Sequence, residues 1–151
     1  MWSGSNSWEN DVDRTAPRHV LVISTDQSLL LEVNDILEAA GYVVSLLPYY
    51  NHDREEIKRL APNLIVLDYK WSGDDNGWSL LQLLRLDPKT VATSIVLCTG
   101  AAREADALQH HLGTLGVRVV LKPYLAATLL SAIADTLIGA HSASPVMRTS
   151  V

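Results

Sequence analysis

The sequence contains one cysteine, Cys98, so it can form neither an internal disulfide nor a thiolate metal cluster. No apolar run approaches the length of a membrane span, and the first ten residues lack the segments of a signal peptide. Basic residues are also scarce, because 12 Lys and Arg stand against 17 Asp and Glu, for a net charge of −5. A chain without clustered Lys and Arg is poorly suited to bind a nucleic-acid backbone. These absences predict a cytoplasmic protein that binds neither membranes nor nucleic acids.

The bulk composition predicts one folded domain with two short tails. Of 151 residues, 48% are hydrophobic and 19% are charged, which suits a single hydrophobic core and not a disordered chain. Residues 1–18 are rich in Ser, Asn and acidic side chains and include Pro17, which predicts a flexible N-terminal leader. Residues 141–151 form a polar tail that is too short for a second domain. We therefore expect the folded domain to span residues 19–140.

Five short apolar runs predict five strands. Continuous runs of this length are typical of strands that are covered on both faces, as in a parallel sheet. The runs are His19–Ser24, Tyr42–Leu47, Leu64–Leu67, Ser94–Leu97 and Val117–Leu121.

Apolar residues at helical spacing predict a helix after each strand. The segments 53–60 and 101–112 carry the weaker helical patterns. A glycine that follows a stripe is placed to end its helix. The clear stripes are Leu29, Val33, Ile36, Leu37 and Ala40 before Gly41; Trp78, Leu81 and Leu84; and Leu129, Ile133 and Leu137 before Gly139.

Five strands that alternate with five helices predict an α/β fold with a doubly wound parallel sheet. Right-handed crossovers place the carboxyl ends of all strands at one edge of such a sheet, where ligand sites lie. Asp68, Thr99 and Lys122 each follow an apolar strand, and Ser24, Thr25 and Asp26 close the first strand. We expect these polar residues to meet at that edge.

With these residues in place, the segment from His19 to Gly139 resembles the receiver domain of two-component response regulators. The resemblance implies a flavodoxin-like α/β fold with strand order 2-1-3-4-5. The motifs that carry the resemblance keep the family's order and spacing, which makes them more specific together than singly. The resemblance implies that the Lys122–Pro123 bond is cis, a form that only X-Pro bonds adopt at low cost. The motifs are Glu38-Ala-Ala-Gly41-Tyr, Asn63-Leu-Ile-Val-Leu-Asp68, Leu84-Arg-Leu-Asp-Pro88, Leu97-Cys-Thr-Gly-Ala101 and Leu121-Lys-Pro-Tyr124.

The resemblance implies a phosphoaspartate switch. Asp68 would attack a phosphoryl group on a histidine of a partner kinase and form an acyl phosphate. Lys122 would place a positive charge beside the phosphoryl oxygens, and the Thr99 hydroxyl would donate a hydrogen bond to one of them. The family neutralises these oxygens with Mg²⁺, whose ligands here would be Asp68, Asp26 and the backbone carbonyl of Lys70.

The partners that the resemblance implies are proteins. A sensor histidine kinase or a phosphotransfer protein would supply the phosphoryl group, and an unidentified downstream protein would respond to it. In such domains the face of the fourth helix, fifth strand and fifth helix often pairs two copies, which makes a homodimer a further expectation by analogy.

The sequence departs from the family at the acidic pair, two adjacent carboxylates that hold the metal ion. Ser24 and Thr25 stand at those positions, and two hydroxyls attract a hard cation much less than two carboxylates. Asp26 could reach the ion, but we favour its interpretation as the N-cap of the helix that follows. Asp74 and Asp75 could replace the pair, but we favour their interpretation as solvated turn residues.

Two functions therefore stay open. The favoured one is a stand-alone receiver that is phosphorylated on Asp68, because Asp68, Thr99 and Lys122 are all present. The other is a degenerate receiver that acts as a phosphorylation-independent interaction module, because the acidic pair is missing. Val119 also replaces the aromatic residue whose rotation reports phosphorylation, which puts that coupling in question. A phosphatase of the haloacid dehalogenase type is disfavoured because Lys70 stands where that class has a second Asp, so we expect no turnover enzyme.

Overall fold

The computed structural model describes residues 17–48, 54–69 and 76–142, which form a five-stranded sheet flanked by helices. All neighbouring strands run parallel, in the order β2-β1-β3-β4-β5. This confirms the predicted doubly wound, flavodoxin-like α/β fold. The strands are β1 (His19–Ile23), β2 (Val43–Leu47), β3 (Leu64–Asp68), β4 (Ser94–Thr99) and β5 (Val117–Leu121).

Within the described ranges, one helix follows each strand, as predicted. Two separate clusters of buried side chains show which face of the sheet each helix covers. The first and fifth helices pack on one face, and the other three pack on the opposite face. The helices are α1 (Gln27–Ala39), α2 (Arg54–Leu60), α3 (Asn76–Leu86), α4 (Ala102–Thr114) and α5 (Ala126–Ser142).

The helices on the two faces of the sheet bury the central strands from both sides. Along β1, Val20 and Val22 pack in the cluster of α1 and α5, while Leu21 and Ile23 pack in the cluster of α2, α3 and α4. This alternation follows from the two-residue period of a strand, and it buries every residue of β3 and β4. Burying one such side chain stabilises the fold by about 2 kcal/mol, so the positions of the ends of these strands are well determined.

The expectation that all five strands are covered on both faces is wrong for β2 and β5. Val43 is 51% exposed in β2, and Leu121 is 45% exposed in β5. These two strands form the outer edges of the sheet, where a strand has a neighbour on one side only. Helices that cross over the centre of the sheet cover such edges less completely.

The ends of α1 follow the predicted signals, and the end of α5 does not. Gly41 has φ of +95°, and its N–H donates to Glu38 while the next N–H donates to Leu37, as in a Schellman C-cap. In contrast, α5 continues through Gly139 to Ser142, so the predicted stop is wrong. Glycine costs a helix only about 1 kcal/mol and does not by itself end one.

The buried face of α1 differs from the predicted apolar stripe. Leu30 is buried and Leu29 only partly buried, and Ala40 is exposed, so the predicted stripe is wrong at these positions.

Two other expectations concern the ends of the chain and membranes. The predicted leader and tail lie outside the described residues, except for 17–18 and 141–142. In the part of the chain that the structure describes, no helix is both long enough and apolar enough to span a bilayer.

Candidate functional site

The carboxyl ends of the central strands bring the predicted polar residues to one edge of the sheet. Asp68 is the last residue of β3 and lies opposite Cys98 of β4, and Thr99 lies opposite Leu121 of β5. Backbone hydrogen bonds continue past the strands, since the Lys122 N–H donates to the Thr99 carbonyl over 2.8 Å. Parallel pairing therefore brings together Asp68 and Lys122, which are 54 positions apart in sequence.

The Asp68 carboxylate is fully buried and is neutralised by a lysine. The Lys122 ammonium group donates to Asp68 Oδ1 and forms an ion pair with it, while the Lys122 side chain stays 25% exposed. A buried carboxylate is costly unless it is paired, so this contact stabilises the charged form of Asp68 within the fold. The Lys122–Pro123 bond is cis, which confirms the expectation from the sequence.

Thr99 lies at the same edge, with its hydroxyl oriented by the turn after β4. The side chain is fully buried, and Oγ1 accepts a hydrogen bond of 3.1 Å from the Ala101 N–H. This accepted bond leaves the hydroxyl proton of Thr99 available for donation. The structure thus brings Asp68, Thr99 and Lys122 to one edge, as predicted; their roles there stay predictions.

Ser24, at the end of β1, lies at this edge as predicted, but the sequence interpretation missed its contact with Asp68. Its hydroxyl is fully buried and donates to Asp68 Oδ2 over 2.6 Å, and it accepts from the Asp26 N–H over 2.9 Å. From the sequence, Ser24 is expected at this edge but is interpreted as the loss of a family carboxylate, with no contact to Asp68. The signal that could have found this contact is the position of Ser24, because the predicted edge already placed the end of β1 beside the end of β3.

Asp26 caps α1, as we favoured from the sequence. Its Oδ1 accepts a hydrogen bond of 3.2 Å from the Leu29 N–H, and its backbone is extended, as an N-cap residue requires. Thr25, between the two, is exposed. The side of the edge formed by β1 therefore offers hydroxyls and a carboxylate that is already bonded to a helix terminus.

The described residues do not fit a Mg²⁺ site. Mg²⁺ prefers octahedral oxygen ligands and is usually held by one or two carboxylates. Here one oxygen of Asp68 is bound by Lys122 and the other by Ser24, and the Asp26 carboxylate caps α1. Among residues 17–48, 54–69 and 76–142, no three His, Cys, Asp or Glu side chains converge as a metal site would require. The predicted carbonyl ligand, Lys70, and the alternatives Asp74 and Asp75 lie outside the described residues.

Burial of the site and the charge of Asp68 raise the pKa values of two neighbouring groups, Cys98 and Tyr124. Burial, followed by the charge of Asp68, raises the pKa of the Cys98 thiol to about 12, and Lys122 opposes the shift. Burial is also the main cause that raises the pKa of Tyr124, with further contributions from Cys98, Asp68 and Glu32. Both groups therefore stay protonated at neutral pH.

A small pocket lies on the face of α4 and β5, at Val119. Val119 is half-buried there, and it lines a pocket of about 120 Å³ together with Ala102, Ala105 and Leu121. A β-branched side chain has no ring that could rotate between inward and outward positions.

Comparison with known proteins shows which family and which solved structures this chain is similar to. A family model described as the response regulator receiver domain matches residues 20–134. The structure of the chemotaxis response regulator CheY4 of Vibrio cholerae is similar, with a TM-score of 0.69, 19% identity, and coverage of 80% of this chain and 99% of that chain. A CheY-like receiver domain protein from Methanospirillum hungatei JF-1 has a TM-score of 0.69 and 23% identity, with 85% and 100% covered. A sensor protein from Polaromonas sp. JS666 has a TM-score of 0.71 and 24% identity, with 83% and 98% covered. No curated protein matches the chain.

Proposed function

The chain belongs to the response regulator receiver domain family, and we propose that it accepts a phosphoryl group on Asp68 and signals by contact with a protein partner. Receiver domains are in general signalling modules of two-component systems and not turnover enzymes. The observation that carries the proposal is the Asp68–Lys122 pair at the carboxyl edge of the sheet, with the Thr99 hydroxyl at the end of the neighbouring strand.

The contacts of Asp68 distinguish its two oxygens. We infer that Oδ1, which lies beside Lys122, attacks the phosphorus of a phosphohistidine on the partner. A new O–P bond forms and the P–N bond breaks, and its electron pair stays on the ring nitrogen, which leaves as neutral imidazole when the other ring nitrogen carries a proton. Ser24 keeps its hydrogen bond to Oδ2, which becomes the carbonyl oxygen of the acyl phosphate.

Lys122 and Thr99 would then act on the transferred group. The Lys122 ammonium is within contact of Oδ1 and needs to move little to reach the oxygens of a phosphoryl group there. The Thr99 hydroxyl can donate its proton to one of these oxygens while Oγ1 still accepts from the Ala101 N–H. These contacts would pull the turn after β4 toward Asp68 and change the surface that a partner meets.

The proposed partners follow from the family. A sensor histidine kinase or a phosphotransfer protein would donate the phosphoryl group, and a downstream protein would bind the altered surface. A homodimer through α4, β5 and α5, the cytoplasmic location and the domain boundaries at residues 19 and 140 stay predictions.

A second candidate is a receiver that acts without phosphorylation. Ser24 favours it, because a hydroxyl bound directly to a fully buried Asp68 stabilises the unmodified carboxylate. In that case the edge would serve as a fixed structural unit, and signalling would depend on protein contacts alone.

Intact-mass spectrometry after incubation with acetyl phosphate and Mg²⁺ separates the two candidates. We expect the wild type to gain one phosphate and Asp68→Asn to gain none. Asp87→Asn is the matched control, because Asp87 is also a largely buried aspartate that is paired with a lysine, Lys58. It should gain phosphate as the wild type does. No gain by the wild type, either with acetyl phosphate or with a phosphorylated histidine phosphotransfer protein, would support the phosphorylation-independent receiver.

A further inference from the structure

Among the described residues, Lys122 balances the charge of Asp68. One carboxylate faces one ammonium group, that of Lys122, and the remaining described contact is the neutral hydroxyl of Ser24. A divalent cation at this place would have to lie beside the Lys122 ammonium, which repels it, and share the oxygens of a single carboxylate. Hence the described residues favour a pocket without a second cation.

At the end of β1, the residues that could add negative charge are committed elsewhere or carry none. The Asp26 carboxylate accepts from the Leu29 N–H at the start of α1, and turning it toward Asp68 would cost this helix its N-cap. Thr25 is exposed and neutral. Ser24 contacts Asp68 directly, with its Oγ 2.6 Å from Oδ2, and its hydroxyl is neutral.

We propose that the Asp68 pocket works without a divalent cation, and that Ser24 and Thr25 are the residues that determine this. The Ser24 hydroxyl takes the place of a metal–oxygen bond to Oδ2, and Lys122 supplies the positive charge. The proposal concerns the same site as the proposed function, but its statement about metal binding holds whether or not Asp68 is phosphorylated.

The first test measures Mg²⁺ binding without any phosphoryl donor. We expect the melting temperature of the wild type to respond to Mg²⁺ no more than to NaCl at the same ionic strength. In Ser24→Asp, two carboxylates face each other, so the variant should melt lower than the wild type in EDTA and be stabilised by Mg²⁺. Because each added carboxylate strengthens a hard-cation site, we expect its affinity for Mg²⁺ to rise about tenfold or more.

Two further variants keep this test decisive. Ser24→Ala removes the hydrogen bond to Asp68 without adding charge, and it should not respond to Mg²⁺. If Ser24→Asp does not fold, Thr25→Asp changes an exposed position and should gain Mg²⁺ binding by the same mechanism, though less strongly. If neither aspartate variant gains Mg²⁺ binding, Ser24 and Thr25 do not determine metal binding and that part of the proposal is wrong.

Binding by the wild type itself would overturn the proposal. The decisive result is saturable Mg²⁺ binding that is lost in Asp68→Asn or in Asp74→Asn/Asp75→Asn, since the latter pair tests the loop after β3. Mg²⁺ binding that survives both variants lies elsewhere and leaves the proposed metal-free pocket unchanged.

The second test adds the phosphoryl donor. The rate of phosphate gain by the wild type should be the same, within about twofold, in Mg²⁺ and in EDTA, with a phosphorylated phosphotransfer protein as donor because acetyl phosphate itself binds Mg²⁺. A loss of phosphate gain in EDTA would contradict the proposal and leave the proposed function intact. No gain in either buffer would contradict the proposed function, and the binding data would still decide the question of the metal.

Discussion

Two aspartate–lysine pairs in this molecule look alike and lie in different places. Asp68 pairs with Lys122 at the carboxyl edge of the sheet, and Asp87 pairs with Lys58 over 2.7 Å where α3 ends. Each carboxylate binds an ammonium group through one oxygen and a hydrogen-bond donor through the other. For Asp87 that donor is the Lys89 N–H at 2.9 Å, and for Asp68 it is the Ser24 hydroxyl.

The two pairs differ in which groups contact the carboxylate and in which elements supply these groups. Asp87 binds the backbone of its own turn and a lysine of α2, so its contacts organise the connection between α3 and β4. In contrast, Asp68 contacts the side chains of Ser24 and Lys122, which come from the ends of two other strands. Side chains can rearrange around a new ligand, while a turn backbone cannot do so without local unfolding. Position and partner type, more than burial or pairing, therefore distinguish a candidate reactive carboxylate from a structural one.

The largest effect should come from removing the lysine of the buried pair. Lys122→Met leaves the fully buried Asp68 without its countercharge, which should lower the free energy of unfolding by about 3 kcal/mol. In an Asp68→Asn background the same substitution should cost less than about 1 kcal/mol, because the buried charge is gone. Urea unfolding of the four proteins measures this coupling.

Two control substitutions sharpen that comparison. Arg118→Met breaks an exposed pair with Asp135 at 3.8 Å, and it should change the free energy of unfolding by less than about 0.5 kcal/mol. Lys58→Met should cost less than Lys122→Met, because Asp87 is 9% exposed to solvent whereas Asp68 is fully buried. A loss for Lys58→Met that equals or exceeds the loss for Lys122→Met would mean that the two pairs are not different in kind.

The next effect is a dependence of the free energy of unfolding on pH. Of the two aspartate–lysine pairs, only the Asp68 pair should influence it. The pKa of Cys98 is raised from 9.0 to about 12, mainly by burial and then by the charge of Asp68. Between these values the folded protein keeps a thiol proton that the unfolded chain has released, so the free energy of unfolding falls as pH rises. The expected slope is about 1.4 kcal/mol per pH unit above pH 9, relative to Cys98→Ala.

Urea unfolding at pH 8, 9 and 10 measures this slope. At pH 8 the thiol is protonated in both states, and the difference in slope between wild type and Cys98→Ala should vanish. The absorbance of the Cys98 thiolate, followed as pH rises in the folded protein, should show a lower pKa of Cys98 in Asp68→Asn and an unchanged pKa in Asp87→Asn. Equal effects of these two substitutions would show that Cys98 does not sense the charge at the sheet edge.

The position of Asp68 could be predicted from the sequence, and its surroundings could be predicted only in part. The buried run Leu64–Leu67 predicts a strand that delivers Asp68 to the carboxyl edge, because parallel pairing fixes the ends of strands relative to each other. The same logic brings Thr99 and Lys122 to that edge. It does not predict which oxygen of Asp68 each neighbour contacts, because that depends on side-chain rotamers.

Ser24 and Asp87 show where a pattern carries no information. A serine at the end of β1 looks like a lost carboxylate, and only the structure shows its hydrogen bond to Asp68. Lys58 lies on α2 and Asp87 lies in the turn after α3, so no helical or strand period links the two positions. Charged residues of this kind are usually solvated. The exposure of β2 and β5 was missed because their apolar composition resembles that of the central strands, although the predicted strand order already places them at the edges.

The smallest predicted effect tests whether Asp26 belongs with Asp87 or with Asp68. Like Asp87, Asp26 accepts from a backbone N–H, that of Leu29, which predicts a structural role. Asp26→Ala should lower the free energy of unfolding by about 1 kcal/mol, and Asp26→Ser should lower it much less, because serine also caps helices. Both variants should gain phosphate at the wild-type rate when measured by intact mass. If the serine variant unfolds as the wild type does but gains phosphate more slowly, the carboxylate charge acts on Asp68, and Asp26 belongs to the reactive edge.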